Sequence, residues 1–374
     1  MTRLPRSTPA TTEIRNPATG KPIGEMPATG PARTAEVIAA ARQGRRDMAA
    51  SLRERLMLRT GDDASARRRF DRSQLINGGF AVVFLVLLVF AVTTSDSFRT
   101  DDNVTNLLRQ SVPTALLALG MLMVILTGGI DLSVGSIVAL TGLIAAGLAA
   151  ELPVSVAMAL AVTVGIACGA VNGVLVAWFR LAPFVVTLAA LTTIRGLAYV
   201  YSETPITPAD IGFLTLGTAS IGPIPYATLV VVALFGAAWV FLTRTTPGRA
   251  IVAIGGNRQA ARLAGIHVPR HVLLTYLISG FCSGLAGVIL ASRVGIAQPS
   301  VGVAFELNAI AACVIGGASL AGGRGSVVGT LGGVVLLALI DNLLTLHDVQ
   351  SYWQQVLKGL IIAAVVLARR RETP

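Results

Sequence analysis

The chain has 374 residues, 53% of them hydrophobic and 13% charged, with a mean hydropathy of +0.72 and a formal net charge of +11. Soluble domains carry about 25% charged residues, so this balance excludes an ordinary soluble enzyme and predicts an all-α polytopic membrane protein. Nucleic acid is a poor partner for the positive charge: residues 1–75 hold 15 basic and 8 acidic groups (+7), the rest 15 and 11 (+4), mostly at the ends and in one loop.

Residues 1–75 are polar and arginine-rich and have no apolar stretch of signal-peptide type, so the first span is expected to act as the insertion signal. Within them, IRNPATGKPIGEMPATG followed by RTAEVIAAARQGRRDMAASLRERL reads as two short extended pieces and one amphipathic helix. Residues 13–58 resemble the extreme N-terminus of aldehyde dehydrogenases, whose catalytic machinery the chain otherwise lacks. A fragment this small builds no core of its own. The segment is expected to be a mobile cytoplasmic tail, a fusion remnant or an upstream start, with Met57 as an alternative beginning.

A membrane-spanning helix needs about 20 apolar residues. Ten candidates follow in order: 76–94, 111–128, 133–150, 154–178, 183–201, 226–243, 272–292, 305–318, 326–345 and 355–369. Several are short or interrupted by glycine, which predicts one or two re-entrant or broken helices. The cysteines Cys168, Cys282 and Cys313 fall inside these runs without ligand-like spacing and read as buried free thiols; no metal site is expected.

Charge orients the spans. With ten spans and both termini cytoplasmic, the inside receives the N-terminal tail, Arg180, the loop Arg244–His271, Arg324 and Arg369–Arg371. The outside receives Asp96, Asp101, Asp102, Glu151, Glu203, Asp210, Glu306 and Asp348 against Arg99 and Arg293. That is the positive-inside distribution. The membrane domain is then 76–370, with 371–374 as a C-terminal tail.

Two glycine-rich segments share a Gly-Gly-x-x-Leu core: GGIDLSVGS at 128–136 and GGASLAGGRGS at 316–326. They read either as interhelical turns or as breaks that offer backbone dipoles to a solute. Polar side chains inside apolar stretches normally face the bundle interior or water. Asp131 and Ser133 lie in the first glycine segment, Asn172 in mid-span and Arg195 in TLAALTTIRGLAYV. Each has two readings. Asp131 caps the next helix or serves transport; Asn172 joins helices or touches a solute; Arg195 binds a solute hydroxyl or pairs with a carbonyl or acid.

The loop Arg244–His271 carries Arg244, Arg249, Arg258, Arg262 and Arg270 and no acidic residue. Its inner part, GGNRQAARLAGI, predicts a short helix ended by Gly265, with Ala260, Ala261, Leu263 and Ala264 forming a small apolar side for a partner's groove.

GGIDLSVGSIVALTG, VNGVLVAWFRLAPFVVTLAALTTIRGLAYV, TPGRAIVAIGGNRQAARLAGIHV and ELNAIAACVIGGASLAGGRGSVVGTLGG occur in this order. From about residue 75 to 370 the chain resembles the inner-membrane permease subunits of ribose/xylose/arabinose-type ATP-binding-cassette importers. The resemblance implies two permease copies, cytoplasmic ATPase subunits beneath and a periplasmic sugar-binding protein above. It also implies that the loop around Gly256, Asn257, Ala261 and Gly265 contacts the ATPase and that the solute is a monosaccharide such as a pentose, for which the intramembrane polar residues Asp131, Ser133, Asn172 and Arg195 are the candidate pathway residues. Asp341-Asn342-Leu343 departs from the Asn-Gly-Leu stretch common among such permeases.

A phosphate-binding loop needs a glycine five residues before its Gly-Lys pair and Ser or Thr after it. The single Gly-Lys pair, Gly20-Lys21, is followed by Pro22 and has Arg15 at the earlier position. ATP is therefore expected on a partner subunit; no cofactor and no catalytic residue are expected here. The alternatives are another solute in the same class, such as a nucleoside or a signalling furanosyl compound, or an ion-coupled secondary transporter. The second would need clustered intramembrane carboxylates, and Asp131 and Asp341 both lie near span ends.

Overall fold

The computed structural model describes residues 11–15, 22–27, 39, 43, 82, 84–350 and 352–360. Two compact units separate near residue 82. In the first, β1 (Thr11–Arg15) and β2 (Pro22–Pro27) pair antiparallel, which matches the two extended pieces expected there. Of the amphipathic helix expected after them only Ala39 and Gln43 are described, both helical; Met57 and the tail Arg369–Arg371 lie outside the described residues.

The second unit is a helical bundle. Its helices are α1 (Phe84–Thr94), α2 (Asp101–Leu126), α3 (Val134–Leu148), α4 (Val154–Ala177), α5 (Pro183–Tyr201) and the single turn α6 (Thr215–Thr218). After a small hairpin, β3 (Ser220–Ile221) and β4 (Ile224–Pro225), come α7 (Tyr226–Arg244), α8 (Thr246–Gly256), α9 (Arg258–Leu263), α10 (Val268–Val294), α11 (Phe305–Ile315), α12 (Val327–Leu346) and α13 over 352–360. Six of these, α2, α4, α5, α7, α10 and α12, are long and apolar enough to cross a membrane. Among the described residues each expected span overlaps a helix, though α2 begins ten residues before the expected 111. Its polar first turns escape a hydropathy reading because Thr100 caps them, accepting from the Asn103 amide.

Helix α10 is the hub, packed on α2, α3 and α4. At Gly165 and Gly169 of α4, backbone meets the backbone of α10: a Cβ on Gly280 would stand 2.3 Å from the Gly165 carbonyl oxygen, and one on Gly169 would stand 2.3 Å from that of Tyr276. Close backbone approach is how helices associate where lipid supplies no hydrophobic drive. Helix α2 is the second buried axis, with Val112–Leu126 almost wholly enclosed. By contrast α4, α5 and α7 leave Val171, Phe184, Val185, Val200, Val232 and Trp239 exposed, as lipid-facing or partner-facing surfaces do.

Among the described residues, the apolar helices α3 and α11 are too short to cross. α3 has 15 residues and α11 has 11; at 1.5 Å per residue they rise about 22 and about 16 Å, against roughly 30 Å of hydrocarbon. Their N-terminal ends meet, since a Cβ on Gly135 would lie 2.2 Å from the Gly302 carbonyl oxygen. Both fall among the spans expected to be short.

Candidate functional site

Three of the four residues expected along the pathway converge. Asp131 Oδ1 accepts from the Ser133 amide at 3.0 Å and the Ser133 hydroxyl at 2.6 Å, and Oδ2 accepts from the Ser279 hydroxyl of α10 at 2.8 Å. Asn172 of α4 donates from Nδ2 to Ser133 Oγ at 2.9 Å. All four side chains are fully or almost fully buried. The Ile130 carbonyl accepts from Thr187 of α5 at 3.1 Å, so the segment ahead of α3 is tied to α4, α5 and α10 at once.

This geometry refines the single-residue readings. Asp131 does not cap α3 from the N-cap position, which is Ser133 and has no capping side-chain bond; its carboxylate instead turns back on the amide two residues ahead. A buried carboxylate costs much free energy unless donors surround it, and here three donors do. Ser279 was not legible as a partner: it is one of several small residues in the run LISGFCSG. Nearby, the buried Tyr276 phenol packs beside Gly129 and has no hydrogen-bond partner among the described residues.

Arg195 stands apart from this cluster. From α5 its Nη1 donates to the carbonyls of Pro299 and, at 2.6 Å, Val301, in the segment that leads into α11. Its charge also acts on Glu306 in the first turn of α11. In this conformation Arg195 is therefore a clasp on that segment. Further along the same segment, Ala297 bridges to Ile206.

The loop between α7 and α10 is more ordered than its composition suggests. It contains α8, a helix within the stretch expected only as loop. Thr245 caps it, accepting from the Gly248 amide, and its Ala250, Ile251 and Ile254 turn inward. The cap, Pro247 in the first turn and the spacing of these apolar residues were the available signals. Then α9 forms where expected: Asn257 Oδ1 accepts from the amides of Gln259 and Ala260, and Gly265 closes the helix at φ +82°. The Gly265 amide donates to Arg262 and that of Ile266 to Ala261. The apolar side needs one correction. Ala261 is turned into the permease itself, buried with Val124, Val176, Ile254, Val268 and Tyr276. Leu263 projects outward at 86% exposure, beside exposed Gly256, Asn257 and Gly265.

Partial burial, and then the like charges of Arg262 and Arg180, press the Arg258 pKa below its ordinary value. The exposed face is thus cationic and carries no acid of its own between Arg244 and His271.

The departure at Asp341-Asn342 has a local explanation. Asp341 pairs with Lys358 of α13 at 2.9 Å, and Asn342 exchanges two amide hydrogen bonds with Asn103 of α2, at 3.2 and 2.8 Å. Both residues join helices.

Residues 103–366 match the family described as "Branched-chain amino acid transport system / permease component". The chain is 41% identical to the ribose import permease protein of Haemophilus influenzae, covering 77% of this chain and 91% of that one. It is 40% identical to that of Escherichia coli (84% and 99% covered) and 42% identical to that of Bacillus subtilis (82% and 96%). No solved structure matches significantly. The family match begins at residue 103 and so lends nothing to the aldehyde-dehydrogenase resemblance of residues 13–58. Six long apolar helices, a family match over 103–366 and about 40% identity along nearly the whole of the relatives converge: this is a multi-pass membrane protein that belongs to the family of transport-system permease components.

Proposed function

We propose that the chain is the membrane-spanning subunit of an ATP-binding-cassette importer that brings a monosaccharide, in the first instance a ribose-like pentose, into the cytoplasm. The observation that carries this is 40–42% identity over nearly the whole length of ribose import permeases from three bacteria. A D-allose permease stands at 39% and galactose/methyl galactoside permeases at 34–35%. The family description mentions branched-chain amino acids, but these full-length relatives are sugar permeases.

In this reading the protein sits in a bacterial inner membrane with both termini cytoplasmic. Residues 76–370 do the work, and 1–75 are a separate tail. Two copies form the pathway, a periplasmic sugar-binding protein delivers the solute, and ATP is bound by separate cytoplasmic subunits. The capped, closed helix α9 with protruding Leu263 supports a docking role for Gly256, Asn257 and Gly265, with Ala261 seating the helix from below. Asp131, Ser133 and Asn172 would act on the pathway by holding the segment before α3, and Arg195 by holding the segment before α11. ATP shifts the permease only if the loaded ATPase binds one of its conformations better than the other.

The test is reconstitution. The permease, its ATPase subunits and its binding protein are placed in proteoliposomes, and uptake of radiolabelled D-ribose, D-allose and D-galactose is measured. ATP-dependent uptake with D-ribose preferred is expected. Uptake driven by an ion gradient without ATP would overturn the reading.

A further inference from the structure

At one end of the bundle three backbone segments meet without side chains between them. They are the end of α2 (Leu126–Gly128), the end of α8 (Gly255–Gly256) and the second glycine-rich segment at Gly322–Gly323. The Gly323 amide donates to the Leu126 carbonyl at 3.0 Å. A Cβ on Gly255 would stand 1.9 Å from that same carbonyl oxygen and 2.3 Å from the Gly323 nitrogen. A Cβ on Gly323 would stand 2.6 Å from the Gly256 nitrogen, and one on Gly322 would stand 2.9 Å from the Gly128 nitrogen. Gly128, Gly322 and Gly323 hold φ of +79°, +91° and +72°, which suits glycine and strains other residues.

Each segment leads to a different working part. Gly256 is followed at once by Asn257, the cap of α9. Leu126 leads through Gly128 and the Asp131 cluster into α3, and Gly316–Ser326 lies between α11 and α12. Both short helices, α3 and α11, are therefore linked to this junction, and so is the loop that carries α9.

We infer that Gly255, Gly322 and Gly323 are positioning residues of the transport cycle. Their backbone contact passes a displacement of α9 to α3 and α11 together. Side chains in a packed contact yield by changing rotamer, whereas touching backbones have no such slack. This gives the shared Gly-Gly-x-x-Leu segments a common task at one point, and it rests on the importer reading above.

The test uses the full complex in proteoliposomes, with whichever of D-ribose, D-allose and D-galactose the wild type carries. Three quantities are read for Gly255→Ala, Gly322→Ala and the control Gly236→Ala: co-purification of the ATPase, sugar taken up per ATP hydrolysed, and Tm. Gly236 lies in α7 with nothing within 4 Å of an added Cβ. For both junction variants the expected result is an assembled complex that hydrolyses ATP within twofold of wild type but moves at least tenfold less sugar per ATP. The control should match wild type. Should Gly255→Ala not assemble, Gly322→Ala, whose clash is milder, decides. Uptake per ATP within twofold of wild type in an assembled variant overturns the inference. So does loss of assembly in both, because the junction would then serve the fold alone. A wild-type complex that carries none of the three sugars is instead a failure of the importer reading and removes the ground for both.

Discussion

The Asp131 carboxylate and the Ser279 hydroxyl meet at 2.8 Å across 148 residues of sequence, fixing the segment before α3 to the middle of α10. With Ser133 and Asn172 they form a closed polar knot inside an otherwise apolar bundle.

Removing the acceptor leaves the donors of Ser133 and Ser279 without a partner in a buried place. Each stranded donor costs about 1–3 kcal/mol. Asp131→Ala should therefore lower the Tm of the detergent-solubilised protein by several degrees. Asp131→Asn, which keeps one acceptor oxygen, should lower it less. Equal Tm values for wild type and Asp131→Ala would show that the knot contributes nothing.

The α4–α10 contact should be intolerant of one added methyl. Gly280→Ala places that methyl against the Gly165 carbonyl, and overpacking typically costs about 1–3 kcal/mol. Reduced folded yield and lower Tm are expected. Gly196→Ala, in open space on α5, should leave both unchanged. Differential scanning fluorimetry on the two variants separates them.

On α9 the exposed and buried residues should behave differently. Leu263→Glu should keep the wild-type Tm while weakening ATPase binding at least tenfold, a loss of about 1.4 kcal/mol. Ala261→Glu puts a charge under the helix and should weaken both. Gly265→Pro removes an amide that bonds Arg262 and cannot adopt φ +82°, so α9 should lose its end and its grip on the ATPase. Affinity is measured by titrating labelled ATPase onto permease in nanodiscs. Unaltered binding by Leu263→Glu would contradict the docking role.

Asn103 and Asn342 should show coupling in a double-mutant cycle. Either single change to Leu strands the opposite amide, at about 1 kcal/mol or more. The double change removes both amides and should cost less than the sum. Chemical denaturation in mixed micelles gives the three values; strict additivity would mean that the two amides do not interact.

The long helices of the bundle were legible because each announces itself by an apolar run. Pairing was not legible. Asp131 and Asn172 stand out as polar intruders in their spans, whereas Ser279 does not, since a serine among glycines marks close packing as readily as it marks a donor. Ala261 was misjudged because a short helix of alanines has no clear inner face; which alanine turns inward depends on Val124, Val268 and Tyr276, contributed by other segments. Helix α8 was missed because its mixed polarity resembles a connector until α2 covers its apolar side.

The bare contact of α4 with α10 limits how this machine can move. Turning α10 about its axis by one residue, about 100°, would carry Phe281 into the space now held by Gly280. Neither helix can roll on the other without first separating. The pair therefore behaves kinematically as one beam, and any motion that opens the path to alternate sides has its hinges elsewhere.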